Sequence, residues 1–287
     1  MSSLRRIIFY GLQPFLIVAV IAYWTLYPSE IAAPLTLLFA QVLLGFIEHY
    51  MPARPDWVIR AKQKTINVLL VLVLTSGTVV VAGLYAEYLA GPLMALRQSL
   101  SLDIWPHHWP ILIQLLMVFF ASEFIWYWMH RAEHRWYFLW RLSGHGAHHS
   151  FKKLGALNFG LNHPLELFWL VLPAALIELT FGVGIAAAGS AILAATQASI
   201  AHSNIELNTK GIGLFFTTNK YHICHHSADL AESNTNYGCS AIIWDRVFGT
   251  FNDATIAEAG SGPTEPTLWQ KFMMPIREPG DTEISPG

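Results

Sequence analysis

Six stretches of the chain are apolar almost throughout: about 7–27, 30–50, 66–90, 109–129, 164–182 and 184–201. Each approaches the roughly 20 residues that a helix needs to cross the hydrocarbon of a bilayer. The pattern therefore predicts membrane helices rather than amphipathic helices around a soluble core. Aromatic residues close these runs, with Tyr23, Trp24 and Tyr27 at the end of the first and Trp126, Tyr127 and Trp128 at the end of the fourth. Such rings favour the headgroup zone. Gly182 and Gly184 leave almost no loop between the last two runs, which predicts a hairpin. The chain crosses six times if that hairpin spans, and four times if it dips in and returns. Arg5 and Arg6 precede a first run that continues to Tyr27 without a small-residue cleavage site, so an uncleaved span is expected.

Composition agrees with a bilayer setting. Of 287 residues, 54% are hydrophobic and only 13% charged, against about a quarter charged in a soluble domain, and the mean hydropathy is +0.41. A net charge of -2 offers no basic field for nucleic acid. Two cysteines, Cys224 and Cys239, cannot build a disulfide framework. With the N-terminus in the cytoplasm, every Lys and Arg except Arg97 falls inside, which is sixteen of seventeen. The expected fold is all-α, a polytopic membrane protein of four to six spans with a helical cap on its cytoplasmic side. Three regions are expected: an N-terminal transmembrane region at 1–108, a histidine-bearing region at 109–252, and an irregular polar tail at 253–287 that includes Gly260, Gly262, Pro263, Pro266, Pro279 and Pro286.

Eight of the thirteen histidines fall into three clusters. They are His130-Arg-Ala-Glu-His134, His145-Gly-Ala-His148-His149 and His222-Ile-Cys-His225-His226. On a helix, positions i, i+3 and i+4 lie within an arc of about 100°, so each cluster projects its imidazoles from one face. Imidazole is a common ligand for iron, zinc, copper and nickel. Three or four nitrogens serve one ion, so eight point to a two-metal centre if the three segments converge. His107 and His108, beside Trp105 and Trp109, and His49, beside Glu48, read instead as interfacial polar groups.

The order HxxxH, HxxHH, hydrophobic hairpin, HxxHH resembles the fatty acid hydroxylase / sterol desaturase superfamily of membrane di-iron oxygenases. Two flanking pieces match as well: Asn162-His163-Pro164-Leu165-Glu166, and Asn236-Tyr237-Gly238 followed by Trp244-Asp245-Arg246-Val247-Phe248-Gly249-Thr250. The resemblance covers about residues 110–252 and makes 109–252 the catalytic domain. It implies two irons held by histidine, activation of O2, and hydroxylation or desaturation at a C–H bond of a sterol, fatty acyl or alkyl lipid. It also implies a further ligand before the last box, the position that His202 occupies in Ala201-His202-Ser203-Asn204. Some relatives have a histidine one turn earlier, where this chain has Ala198. His163 is either a compensating ligand or a ring bonded to a backbone carbonyl at a helix start.

C–H cleavage needs a redox-active metal, which zinc, with its filled d shell, is not; zinc can still occupy imidazole sites in purified protein. Carboxylates that could orient the imidazoles are Glu123, Glu133, Glu166, Asp229, Glu232 and Asp245. The lipid is expected to enter from the bilayer, along apolar residues such as Phe124, Leu165, Phe168 and Trp169. Electrons are expected from a separate donor of the ferredoxin or cytochrome b5 type, docking near Arg131, Arg135, Arg141, Lys152 and Lys153. The competing reading is a membrane metal-ion transporter or metal-binding protein, whose ligands would sit near mid-membrane on broken helices.

Overall fold

The structure, a computed structural model, describes residues 2–28 and 32–277. Its described elements are all helical: α1 Ser3–Leu26, α2 Ala32–Tyr50, α3 Ala61–Ser99, α4 Ile111–Arg135, α5 Tyr137–Ser143, α6 His145–His149, α7 Glu166–Phe181, α8 Ile185–His202, α9 Asn219–His225, α10 Leu230–Ser233, α11 Ile243–Phe248 and α12 Leu268–Met273. Four of them, α1, α3, α4 and α8, are long and apolar enough to cross a membrane. The predicted all-α membrane architecture is what the chain adopts.

The direction of each helix follows from its side-chain neighbours. Leu12 and Leu16 of α1 pack with Ile200 of α8, and Trp24 meets α8 near Gly189, so these helices run antiparallel. Leu115 of α4 also reaches Gly189, and His130 near the end of α4 meets His225 edge-on, His225 stacks on His222, and His222 meets His202. Helices α4 and α8 therefore run parallel and deliver their C-terminal histidines to one end of the bundle. The end of α2 arrives there too, with Gly45 against Leu157.

Helix α3 is longer than expected. It continues to Ser99, so Arg97, placed by the sequence pattern on a loop of about 91–108, stands on the helix. Leu93 to Gln98 are strong helix formers, and Pro92 does not end the helix. At about 1.5 Å per residue its 39 residues exceed the hydrocarbon thickness. Its first turns pack on the histidine-bearing cap, where Val71 joins Trp57, Phe151, Leu154 and Leu161. Further along, Gly77 meets Leu167, the Tyr85 hydroxyl donates to Phe168 O at 2.9 Å, and Arg97 reaches Gly182, so α3 and α7 run parallel. The Gly182–Gly184 turn lies at the end of the bundle away from the histidines, with Val183 against Val118 and Trp105.

The tail departs from expectation. Residues 253–267 run over the cap, burying Ile256 and Ala259, and α12 follows with a reciprocal capping box between Thr267 and Gln270. Those two apolar residues, spaced among polar ones, anchor the segment together with backbone bonds such as Ala228 N to Glu258 O. The Pro279 and Pro286 part of that expectation lies outside the described residues.

Close approach of α1, α4 and α8 requires a small residue at Gly189, because a Cβ there would collide with Trp24 and Leu115. Overpacking of this kind costs roughly 1–3 kcal/mol. Gly189→Val is expected to lower the thermal midpoint of the detergent-solubilised protein; an unchanged midpoint would show that the helices meet elsewhere.

Candidate metal centre

Four short stretches of chain bring the imidazoles together. The last turns of α4 carry His130 and His134, four residues apart on one face. After α5 the chain must reverse, and it does so at Gly144, whose φ of +76° is a left-handed conformation that favours glycine. The single turn of α6 follows at once with His145, His148 and His149. His202 ends α8, and α9 with the residue after it supplies His222, His225 and His226.

The nine rings form two groups. His130, His134, His145, His149 and His225 make one, and His148, His202, His222 and His226 the other; within each, one ring nitrogen per residue lies within 4.8 Å of all the rest. The groups adjoin, since the rings of His149 and His226 stack with centroids 4.3 Å apart.

Hydrogen bonds decide what these nitrogens can do. His130 Nδ1 donates to Tyr237 O at 2.6 Å, His225 Nδ1 to Thr235 O at 2.7 Å and His202 Nδ1 to Ala198 O at 2.7 Å. A carbonyl only accepts, so each of these rings carries its proton on Nδ1 and a lone pair on Nε2. His145 Nδ1 pairs with Glu166 Oε1 at 2.6 Å, a carboxyl oxygen that accepts when ionised and can donate when protonated. Yet His130 Nε2 lies 2.9 Å from His145 Nε2 and 3.1 Å from His225 Nε2. In the second group, His202 Nε2 lies 3.2 Å from His148 Nε2 and 3.1 Å from His222 Nε2. The carbonyl-fixed lone pairs of His130 and His225 face each other in a buried space and repel, and neither ring has a proton on Nε2 to bridge them. The donor set therefore fits a cation in the five-histidine group. The four-histidine group has the same convergence around a lone pair fixed on His202.

Burial keeps the rings ready for that role. His145, His148, His149, His222, His225 and His226 are all held well below the ordinary imidazole range, first by desolvation and then by neighbouring imidazoles. They are neutral at neutral pH, the form that ligates a metal.

A bracket of backbone supports the five-histidine group. Thr235 O and Tyr237 O hold two rings, and Asn234 Oδ1 lies 3.2 Å from His134 Nδ1. Asp245 fixes this bracket by accepting from Tyr237 N, Gly238 N and Thr250 Oγ1, each at 2.7 Å. Burial pushes the Asp245 carboxyl up to about 6, and those donors oppose a larger rise. The four-histidine group is held differently. The Nδ1 atoms of His148, His222 and His226 are buried without a protein hydrogen bond, so packing orients them. The tail touches both groups, since Gly260 N donates to His226 O and Ser261 N to His149 O, both at 2.8 Å.

The remaining expected residues sort clearly. Glu166 touches a histidine directly, and fully buried Glu133 joins His145 and Glu166 in a third cluster. Glu123 Oε2 accepts from Ser240 N at 3.0 Å, bracing the same loop as Asp245. Asp229 caps α10 and Glu232 accepts from Ser227 Oγ, and no hydrogen bond connects either to an imidazole. His163 stands outside both groups: its Nδ1 accepts from Leu165 N at 3.1 Å and its Nε2 donates to Phe272 O at 3.0 Å, which uses both nitrogens. Sequence reasoning missed Glu48, taken there only as a neighbour of His49. Buried, it accepts from Ala156 N and Asn204 N at 2.7 Å each, tying α2 to the segments flanking His149 and His202. A charge inside an apolar run was the available signal.

Comparison with known proteins agrees with this geometry. Residues 115–250 match the fatty acid hydroxylase family. The histidine-bearing core of the chain belongs to that family. Over 222 residues, the chain is 30% identical to an ornithine lipid hydroxylase of Rhizobium tropici, covering 74% of this chain and 64% of that protein. It is 28% identical over 185 residues to a very-long-chain aldehyde decarbonylase of Oryza sativa subsp. japonica, covering 60% and 64%. It is 26% identical over 133 residues to the alkylglycerol monooxygenase of Homo sapiens, covering 46% and 29%. The chain thus spans less than two thirds of the length of these relatives. No solved structure matches it.

Two expectations follow for this fatty acid hydroxylase core. His202→Ala is expected to release the metal of the four-histidine group while His163→Ala keeps full metal content, and Asp245→Ala to weaken metal affinity by about 10–100-fold; elemental analysis with chelator competition reads all three. In the metal-stripped protein, unfolded imidazoles titrate near 6.5 while the buried ones take protons only at lower pH. Below about 6.5 the unfolded chain therefore binds more protons, and stability falls as pH drops. A thermal midpoint unchanged down to about pH 5 would contradict the buried neutral rings.

Proposed function

We propose that this chain is an O2-dependent di-iron membrane oxygenase that hydroxylates a C–H bond of a lipid. The observation that supports this reading is the pair of adjoining imidazole groups, whose fixed lone pairs converge at the end of membrane-length helices. His130, His134, His145, His149 and His225 would hold one iron, and His148, His202, His222 and His226 the other. When bound, the irons supply O2 activation and hydrogen-atom removal from an unactivated carbon, redox chemistry that zinc does not offer. Residues 109–252 form the catalytic domain in this reading.

The chain's own residues prepare that chemistry. The carbonyls of Tyr237, Thr235 and Ala198 hold three rings in the ligating tautomer, and Glu166 pairs with a fourth. Tyr237, 6% exposed, closes over His130, His134 and His225 and excludes water from the five-histidine group. The lipid reaches the cap from the bilayer without crossing water. One atom of O2 enters the C–H bond and the other leaves as water, taking up two protons and two electrons from a separate donor of the ferredoxin or cytochrome b5 type. The cap faces the cytoplasm in this reading, by the distribution of basic residues.

The donor's docking surface is narrower than the sequence suggests. Lys152 Nζ donates to Gly260 O and Gly262 O, Lys153 Nζ to Asp56 O, and Arg141 Nη2 to Ile276 O. These three side chains stitch the cap together, and Arg131 donates to the Tyr127 hydroxyl at 3.0 Å, leaving exposed Arg135 as the candidate for contact with an acidic donor. A transporter fits less well, because rings locked by backbone carbonyls suit a resident ion rather than a passing one.

Incubation with membrane lipids, iron, a reductant-coupled donor and isotopically labelled O2 is expected to give a hydroxylated lipid bearing the label. Unsaturated product without label would indicate desaturation, and no O2-dependent product from an iron-loaded protein would overturn the proposal.

A further inference from the structure

An apolar groove of about 270 Å3 opens between α3, α5 and α7, lined by Tyr85, Leu142, Leu165, Phe168, Trp169 and Leu172. It approaches the lower end of the size range of small-molecule sites. The Tyr85 hydroxyl in its wall is already bonded to Phe168 O. The groove has two distinct ends. Leu142 immediately precedes Ser143–Gly144–His145, and Leu165 immediately precedes Glu166, whose carboxylate lies 2.6 Å from His145 Nδ1. That inner end is therefore one to three residues along the chain from Glu166 and from His145, itself a member of the five-histidine group. In the other direction Trp169 and Leu172 lead along α7, toward the Gly182 turn at the far end of the bundle.

We infer that this groove holds the alkyl chain of the lipid substrate, with its methyl end along α7 and its headgroup end at the cap. The inference rests on the lipid-oxygenase reading above. Its wall belongs to α3 and α7, and α3 is long and apolar enough to cross the bilayer, so the medium at its open side is hydrocarbon and the matching occupant is an alkyl chain. A lipid keeps its headgroup at the water boundary, and the histidine-bearing cap is the polar end of the bundle. The carbons nearest the headgroup therefore lie beside the five-histidine group, and oxidation falls there rather than near the methyl end. Phe124, expected on the entry route, packs instead on Trp244 and Phe248, with ring centroids 4.9 and 6.1 Å away.

Photolabelling of the full-length protein in dioleoyl phosphatidylcholine nanodiscs tests this, with a palmitoyl lysophosphatidylcholine carrying a diazirine near its methyl end. Labelling is expected on Phe168–Leu172 and to be displaced by excess unlabelled lysolipid. Leu165→Trp and Leu172→Trp fill the groove and are expected to lower displaceable labelling at least about tenfold, with metal content unchanged. Leu170→Trp, on the same helix but outside the groove, is expected to leave it intact. Labelling spread along α3 and α7 without displacement would mean ordinary boundary lipid and overturn the inference, as would equal effects of Leu165→Trp and Leu170→Trp. Displaceable labelling without any O2-dependent product would sink the oxygenase reading and leave the groove standing.

Discussion

Lone pairs that face one another across a buried space are the constraint on which the rest of this structure depends. Three histidines have their protons fixed on Nδ1 by backbone carbonyls, which cannot give a proton back, and their Nε2 atoms point inward at about hydrogen-bond distance from neighbouring nitrogens. In water such rings would turn away. Here they are buried, and the α4 and α8 backbones that carry His130 and His202 are anchored by membrane-length apolar packing. A cation converts that mutual repulsion into attraction, so the fold stores a binding site by holding its donors where they are unfavourable alone.

Much of the outer structure supports this arrangement. Asp245 and Glu123 hold the 237–240 loop, from which Tyr237 reaches His130. Glu48 ties α2 to the segments beside two histidine clusters. The tail closes over the cap through Gly260 and Ser261, and Lys152 fastens it with two carbonyl contacts. Groups that a sequence reading treats as topology signals or as loop composition are here braces for imidazole orientation.

The helices and the histidine clusters were legible because both are local signals. Apolar runs specify membrane helices without any knowledge of partners, and HxxxH or HxxHH spacing puts rings on one face of a single turn. The braces were not legible, because they are backbone carbonyls and distant contacts. Nothing in the residues Asn234 to Tyr237 announces that their carbonyls face His225 and His130. His163 was legible only as two alternatives, and the carbonyl-bonded one is found, with its nitrogens both used by Leu165 N and Phe272 O. The tail misled because two buried residues, Ile256 and Ala259, are too few to register as periodic. The extension of α3 to Ser99 was hidden by Gly91 and Pro92, which usually mark a helix end.

Native mass spectrometry of the full-length protein, produced with iron and kept folded in detergent, weighs the metal content of each chain directly. Two adjoining groups of converged imidazoles predict a chain carrying two iron ions. A folded chain that carries a single ion, or none, after saturation with iron would contradict the account.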